Sequence, residues 1–567
     1  SWYTGGGHTD ASFSEDAFVQ HLWGGIQWAA GWAEGDCKAD IASNFQYEVL
    51  LSGITAPMDL RIDPQGRVLF IERTGRVRRY DPQAETTETL ATIPVFSTFE
   101  EGLLGIELDP QFDQNGWVYL FYSRPSPNIQ VLSRFTLSGS RLLNEEVLLE
   151  VPVQRAQCCH AGGHLAWDSQ RNIYISLGDN VNPFESDGYA PIDERTGRNA
   201  WNAMVTSGNP FDFRGSILRI HVAEDGTTAI PSGNLFADSL DGLSEIYVMC
   251  ARNPFRITVD AATDVLYWGD VGPDAHGDNP TRGPRGYDEV NRTTEAGFYG
   301  WPFCMGPNLP YRQFDFATGQ SGASFDCAGG VKNESRYLPR AVTLPPAQPA
   351  WIYYPYGDAV DFPSIQSGQG RSVIMGPVYR NANPDSTGFP PYFNGHHFFA
   401  DWSRNTLHTV QVDDEGNPFA ITPFLSGIDV RSPISLTFGP SGMLYMLEWG
   451  TGYSNTNPDA RLSRIQYRTG GRPPNMVIQA SATSGTLPLE ITFSATGSSD
   501  PDPGDSIVSY LWDVDGDGET DARGETITHT YTEAGTYQVT LRGVDINQLV
   551  GSARTEIVAG NTRPEVT

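Results

Sequence analysis

The chain has 567 residues, too many for one core, so two to four domains are expected. Its net charge of −31 argues against nucleic acid, whose phosphates need a basic face, and against an anionic membrane surface. Sixty glycines, 40 prolines and 11% aromatic residues suit many short strands joined by tight turns. Lysine occurs only as Lys38 and Lys332, so nearly all positive charge is arginine. No apolar run reaches the length of a spanning helix, about 18 residues. Six cysteines in a chain this long do not form a disulfide scaffold. Cys304 and Cys327 flank one long loop and suit a bridge. The adjacent Cys158 and Cys159 either close a small ring or stay as two reduced thiols.

Phe18, Leu22, Ile26 and Ala29-Ala30 recur at helical spacing after Ser14-Glu15-Asp16, a helix-start signal. Residues 1–38 are too few to bury a core alone. Trp2-Tyr3-Thr4-Gly5-Gly6-Gly7-His8-Thr9 and Gly24-Gly25-Ile26-Gln27-Trp28-Ala29-Ala30-Gly31 resemble the end of trehalose-utilisation (ThuA-like) domains. That resemblance implies a short α/β remnant over residues 1–38.

Residues 45–468 repeat one pattern. An apolar strand with Tyr or Phe is followed by a turn and a strand of the form x-Ile/Leu/Val-x-Arg. Copies are Val68-Leu69-Phe70-Ile71 with Val77-Arg78-Arg79-Tyr80, and Val118-Tyr119-Leu120-Phe121 with Leu132-Ser133-Arg134-Phe135. Next come Ile173-Tyr174-Ile175-Ser176 with Ile217-Leu218-Arg219-Ile220, and Leu266-Tyr267-Trp268-Gly269 with Tyr287-Asp288-Glu289-Val290. The last two are Phe398-Phe399-Ala400-Asp401 with Leu407-His408-Thr409-Val410, and Leu444-Tyr445-Met446-Leu447 with Leu462-Ser463-Arg464-Ile465. Six strand-pair units read as an all-β, six-bladed β-propeller, with its largest insertion between Trp301 and Pro391.

Gly470-Gly471-Arg472-Pro473-Pro474 marks a linker, taken as residues 469–476. Residues 477–559 alternate as a small β-sandwich, with Ser509-Tyr510-Leu511-Trp512-Asp513 and Gly535-Thr536-Tyr537-Gln538-Val539-Thr540-Leu541 among its strands. These motifs resemble PKD-type immunoglobulin-like domains. Residues 560–567 echo the first linker, so the sequence reads as a piece of a longer multidomain chain. Within the sandwich, Asp513-x-Asp515-x-Asp517-Gly518-x-x-Asp521 places oxygens at alternate positions before a glycine turn, a pattern that can wrap calcium. PKD domains also carry such turns without metal.

Chemistry concentrates in residues 100–300. His160 lies in Cys158-Cys159-His160-Ala161-Gly162-Gly163-His164-Leu165, and a neutral imidazole can accept a hydroxyl proton. The ordered motifs around it are similar to the soluble glucose/sorbosone dehydrogenases, which are quinoprotein propellers. They are Glu101-Gly102-Leu103-Leu104-Gly105-Ile106, His160-x-Gly162-Gly163-x-Leu165, Ser176-Leu177-Gly178-Asp179-Asn180, Arg252-Asn253-Pro254, Gly272-Pro273, Asp288-Glu289-Val290-Asn291 and Gly300-Trp301-Pro302. The resemblance implies pyrroloquinoline quinone (PQQ) and calcium in a central cleft, with a sugar as substrate and an unnamed electron acceptor. It implies His160 as base, Arg252 polarising the quinone, Asn253 bonding it, carbonyls of Gly272 and Pro273 on calcium, and Asp288 close by. Glu100 falls at a cofactor-facing position, and Arg431, with Arg371, Arg380 and Arg404, offers further charge for the cofactor's carboxylates.

The sequence departs from that pattern at three places. Val271 stands where glutamine precedes Gly-Pro, Glu100 where glutamine precedes the Gly-Leu-Leu-Gly turn, and His164 where arginine follows the glycines. A dry carboxylate facing an anionic cofactor would be repelled. Asp179 and Asn180 read as a solvated polar loop, or as a calcium or sugar site. Trp402 and Trp449 offer faces for sugar stacking or for the core. The leading expectation is an exported sugar dehydrogenase, secreted, periplasmic or at the cell surface. The alternative is a non-catalytic carbohydrate-binding or surface scaffold. A calcium-dependent hydrolase or lactonase lacks an evident set of four ligands on one metal.

Overall fold

The computed structural model describes residues 45–380, 388–452, 457–467, 473–502, 505–546 and 549–560. The remnant expected over residues 1–38 lies outside them. The described chain is almost entirely β and falls into two compact units, one of them Gln46–Tyr467. Among the described residues no helix is long and apolar enough to cross a membrane.

Six sheets of four or more strands, antiparallel except where Ile246–Met249 meets Gly297–Phe298, make up most of the larger unit. Their first strands are Pro57–Ile62, Leu103–Leu108, Leu165–Trp167, Pro254–Asp260, Val373–Val378 and Pro433–Phe438. These touch in succession, and the last touches the first, so they form a closed ring. The second strands, such as Val68–Glu72 and Leu444–Glu448, are buried along their whole length, which explains their unbroken apolar runs. The sixth sheet takes its outer strand from the start of the unit: Phe45–Ser52 lies beside Arg461–Tyr467. Tyr47 donates to the buried Glu448 at 2.6 Å, and Arg464 pairs with Glu48 at 2.7 Å.

Four of the ring strands carry a one-residue register shift at their start, at Met58, Leu104, Phe255 and Ile434. A bulge of this kind turns a side chain out of the pleat. Below these residues the ring is held by charge. Arg256, fully buried, donates to the carbonyls of Ile434 at 2.9 Å and Met58 at 2.5 Å, joining three sheets. Asp59 accepts from Arg61 at 3.0 Å, from the Ile106 backbone at 3.1 Å and from Ser435 at 2.7 Å. Arg61 continues to Glu107 and to the Leu165 carbonyl. Burial opposes the charge on Asp59, but Arg61 and His164 hold its carboxyl far below the usual range. Burial also lowers Arg256, to about 10.

The second strands end in a repeated position. Glu72, Asp270, Asp401 and Glu448 occupy it in four sheets and Ser123 in the second, while in the third Asp179 lies two residues past the strand Asn172–Leu177; all are buried. Most of these side chains accept from backbone N–H groups of neighbouring loops. Asp270 takes those of Arg252 and Asn253, Asp401 that of Ser372, and Glu448 that of Arg431.

The smaller unit is a sandwich of a three-stranded and a five-stranded sheet around Ile491, Phe493, Trp512, Val539, Leu541 and Ile557. Trp512 is fully buried and its indole donates to the Gly524 carbonyl at 2.8 Å.

Replacing Arg256 with methionine would roughly keep its volume but strand the carbonyls of Met58, Phe255 and Ile434 and leave Asp59 with less compensation. The expected loss is about 3–5 kcal/mol, read from urea unfolding of the full chain. An unchanged midpoint would show that the ring does not depend on this cation.

Candidate active site

The ring strands begin, and the second strands end, around a cavity of about 300 Å³. Its floor is Met58, Phe255, Ile374 and Ile434, each the second residue of a ring strand. Phe99, Phe184, Trp402 and Trp449 supply aromatic walls, and Arg73, Glu100, His160, Arg252, Asn253 and Asp274 the polar ones. Cys159 lines it too, and the structure closes Cys158–Cys159 and Cys304–Cys327 as disulfides. Of the two readings open for the adjacent pair, the bonded one holds.

His160 sits in the left-handed region at φ +60°. Its loop packs so tightly on the third sheet that a Cβ on Gly178 would lie 2.2 Å from the His160 carbonyl oxygen. The ring Nδ1 lies 2.6 Å from Asp179 Oδ1. Asp179 is fully buried and also accepts from the Val181 backbone at 3.0 Å and the Trp301 indole at 2.8 Å. A carboxylate that only accepts sets the proton on Nδ1 and leaves the Nε2 lone pair open. Nε2 has no partner among the described residues, and His160 lines the cavity.

Glu100 comes from the preceding loop and accepts the His160 backbone N–H at 2.7 Å. Arg73 ties that loop by donating to the carbonyls of Ser97, Phe99 and Glu101. Arg155 adds an ion pair to Glu101 at 2.9 Å. Opposite, Arg252 Nη1 donates to the Val271 carbonyl at 2.7 Å, and its guanidinium lies over the Trp301 ring. Arg252 Nε and Asn253 Oδ1 are buried without partners. Both side chains are more than nine-tenths buried.

Glu100, His160, Arg252 and Asn253 thus converge on one cavity. Trp402, Trp449 and Val271 line it as well. Asp288 is fully buried behind it, paired with Arg371. Arg431 pairs with Asp429 and Asp459 and is absent from the lining. Arg380 is bound to Asp260, and Arg404 to three backbone carbonyls. His164 faces the charged ring beneath, 3.3 Å from Asp59, where burial lowers it to about 4. Asp179 enters as the histidine's partner rather than as a loop ligand. It lies two residues past the strand Asn172–Leu177, in the motif Ser176-Leu177-Gly178-Asp179-Asn180.

The Pro273 carbonyl and Asp288, expected at a calcium ion, are both engaged by protein donors. The Pro273 carbonyl accepts from Arg371 Nη2, and Asp288 accepts from Arg371 Nη1, from Gly272 N at 3.0 Å and from Val373 N at 2.7 Å. A planar quinone is better matched: it would find aromatic walls and the unpartnered polar atoms of Arg252 and Asn253. In the sandwich, carboxylate oxygens of Asp513, Asp515 and Asp521 lie within 4.8 Å of one another, with Asp517 outside that group; Asp500, Asp505 and Asp545 form a second such group. Asp513 accepts the backbone N–H groups of Gly516 and Gly518, so hydrogen bonds already shape this turn.

Residues 54–320 match the family described as Glucose / Sorbosone dehydrogenase, and residues 475–556 match the PKD domain. Quinoprotein glucose dehydrogenase B of Acinetobacter calcoaceticus is 25% identical over 281 residues, covering 47% of this chain and 54% of that protein. The human Hedgehog-interacting protein is 24% identical over 241 residues, 38% of this chain and 32% of that one. The chain spans little more than half the length of the first curated relatives it matches. A solved putative oxidoreductase (glucose dehydrogenase) of Thermus thermophilus aligns with TM-score 0.51 at 21% identity. That alignment covers 74% of this chain and 99% of that one, a likeness of fold.

Two acids beneath the Arg252-Asn253 loop set a pH dependence. Asp270 and Glu289 are cross-strand neighbours. Burial pushes Asp270 up to about 6, and burial with Asp270 beside it pushes Glu289 up to about 8. Folded Glu289 therefore keeps its proton to about pH 8, while the unfolded chain releases it near 4.5, so its contribution to stability falls as pH rises between those values. Glu289→Gln should flatten that fall, with a larger gain in urea midpoint at pH 8 than at pH 5. Equal shifts at both pH values would contradict the assignment.

Proposed function

We propose that residues 46–467 form a six-bladed propeller of the quinoprotein sugar dehydrogenase class and oxidise a sugar hydroxyl at the His160 cavity. The observation that carries this reading is the His160–Asp179 pair, with Nε2 open at the wall of an aromatic-lined cavity. The match of residues 54–320 and the likeness of fold support it.

Nε2 of His160 takes the proton of the reacting hydroxyl. Asp179, dry and bonded to Nδ1, stabilises the imidazolium that results. Glu100 accepts from a second hydroxyl and so orients the sugar. Trp402 and Trp449 offer apolar faces for its C–H surface. When bound, PQQ would supply the two-electron acceptor, held by Arg252 and Asn253; no calcium enters this reading. The two disulfides suit an oxidising compartment, in keeping with export.

A second reading, a non-catalytic carbohydrate-binding scaffold, draws on the charge of the lining. Arg73 and Arg252 are balanced there by Glu100 and Asp274, which offers little net attraction to a tricarboxylate. The likeness to Hedgehog-interacting protein points the same way.

Adding PQQ to the purified chain should give a saturable change in quinone absorbance and sugar-dependent dye reduction. Asp179→Asn should then lower turnover by about 10²–10⁴-fold with substrate affinity nearly unchanged, because it allows the wrong tautomer. His160→Ala should abolish turnover and leave thermal stability close to that of the natural chain. No quinone binding at tens of micromolar, with glycan binding intact, would replace this reading by the second.

A further inference from the structure

The charged groups behind the cavity are arranged around Arg371. Its side chain is 1% exposed, and Asp288 is fully buried. The guanidinium spans from the Asp288 carboxylate to the Pro273 carbonyl. The Tyr356 ring lies 4.3 Å from its carbon. Two glycines leave room for it. A Cβ on Gly286 would fall 2.5 Å from Nη2, and one on Gly272 would fall 3.1 Å from Nη1. The space is therefore shaped for a planar cation.

We infer that the Arg371 guanidinium stands in place of a divalent metal behind this cavity, so that the turn Val271-Gly272-Pro273 is held by an organic cation and needs no calcium. The expectation of a metal there rests on the sugar-dehydrogenase reading; the placement of Arg371 does not.

Calcium takes about 6–8 oxygens, and here the Pro273 carbonyl and both carboxylate oxygens of Asp288 are already engaged. Asp288 Oδ1 accepts from Arg371 and from Gly272 N, and Oδ2 accepts from Val373 N. A metal would have to expel a buried guanidinium from its carboxylate partner, leaving a cation dry and unpaired. The consequence reaches the cavity through the backbone. Arg371 pins Pro273, and two residues earlier the Val271 carbonyl orients Arg252 through Nη1 at 2.7 Å. Arg371 is thus a positioning residue for Arg252. The next residue, Ser372, lines the cavity.

The direct test is a crystal structure of the full chain grown in excess calcium chloride. The guanidinium is expected between Pro273 and Asp288, with any calcium confined to the acids of the sandwich. A metal ion on the Pro273 carbonyl with Arg371 turned away would overturn the inference. Isothermal titration with calcium chloride gives a second readout. Arg371→Ala should bind one more calcium than the natural chain, and Arg371→Lys, which restores a cation, should not. Natural chain that loses one bound calcium when Asp288 is changed to Asn would also overturn it. None of these readouts needs the quinone or a sugar, so absence of turnover leaves the inference standing on its own measurement.

Discussion

The larger unit depends on neutralising charge at the centre of a ring. Six strands meet there, and their carbonyls and N–H groups face one another rather than water. Arg256 reaches from the fourth sheet to the sixth and the first, and Asp59 gathers donors from the first, second and sixth. An apolar plug could fill the volume but would answer none of these groups. Each buried carbonyl left without a donor costs about 1–3 kcal/mol. The floor of the cavity rests on this layer, so the apolar patch of Met58, Phe255 and Ile434 is positioned by Asp59, Arg256 and Ser435, the next residue on each strand.

A second constraint repeats around the ring. A carboxylate at or just past the end of a buried strand must be met by donors, and the five sheets that carry one meet it differently. Glu72 uses Arg76 and Arg78; Glu448 uses Arg461, Ser463 and Tyr47 from the strand that closes the ring. In the third sheet one of the donors is an imidazole. The dyad at the cavity lies two residues past its strand but uses the same device, a buried carboxylate met by donors from neighbouring loops. Placing the imidazole there takes a histidine on the neighbouring loop and a glycine, Gly178, that lets it approach.

The second strands and their partners were legible in the sequence because they are dry on both faces and read as unbroken Val, Ile, Leu, Phe and Tyr. Asn172–Leu177 and Val265–Asp270 lie where the repeat put them. The ring strands were not legible, since Asp59, Arg61 and Arg256 break the apolar pattern for the reason just given. The cavity residues His160, Arg252, Asn253 and Glu100 could be named from ordered motifs. Arg371 could not be placed, because its partners lie 83 and 98 residues away and no local spacing encodes them. His164 looked like a departure at the cofactor site, yet it serves the charged layer under it. Burial, which a sequence does not display, separates these two fates.

The strand Phe45–Ser52 completes the sixth sheet, and its Tyr47 bonds Glu448 across 401 positions of the chain. During synthesis at about 5–20 residues per second that strand would wait on the order of 20–80 s for its partner. Until then it presents an open edge with unpaired backbone groups, able to join another strand. The ring therefore closes last on the ribosome, and the first residues of the unit are those a nascent-chain chaperone would have most reason to cover.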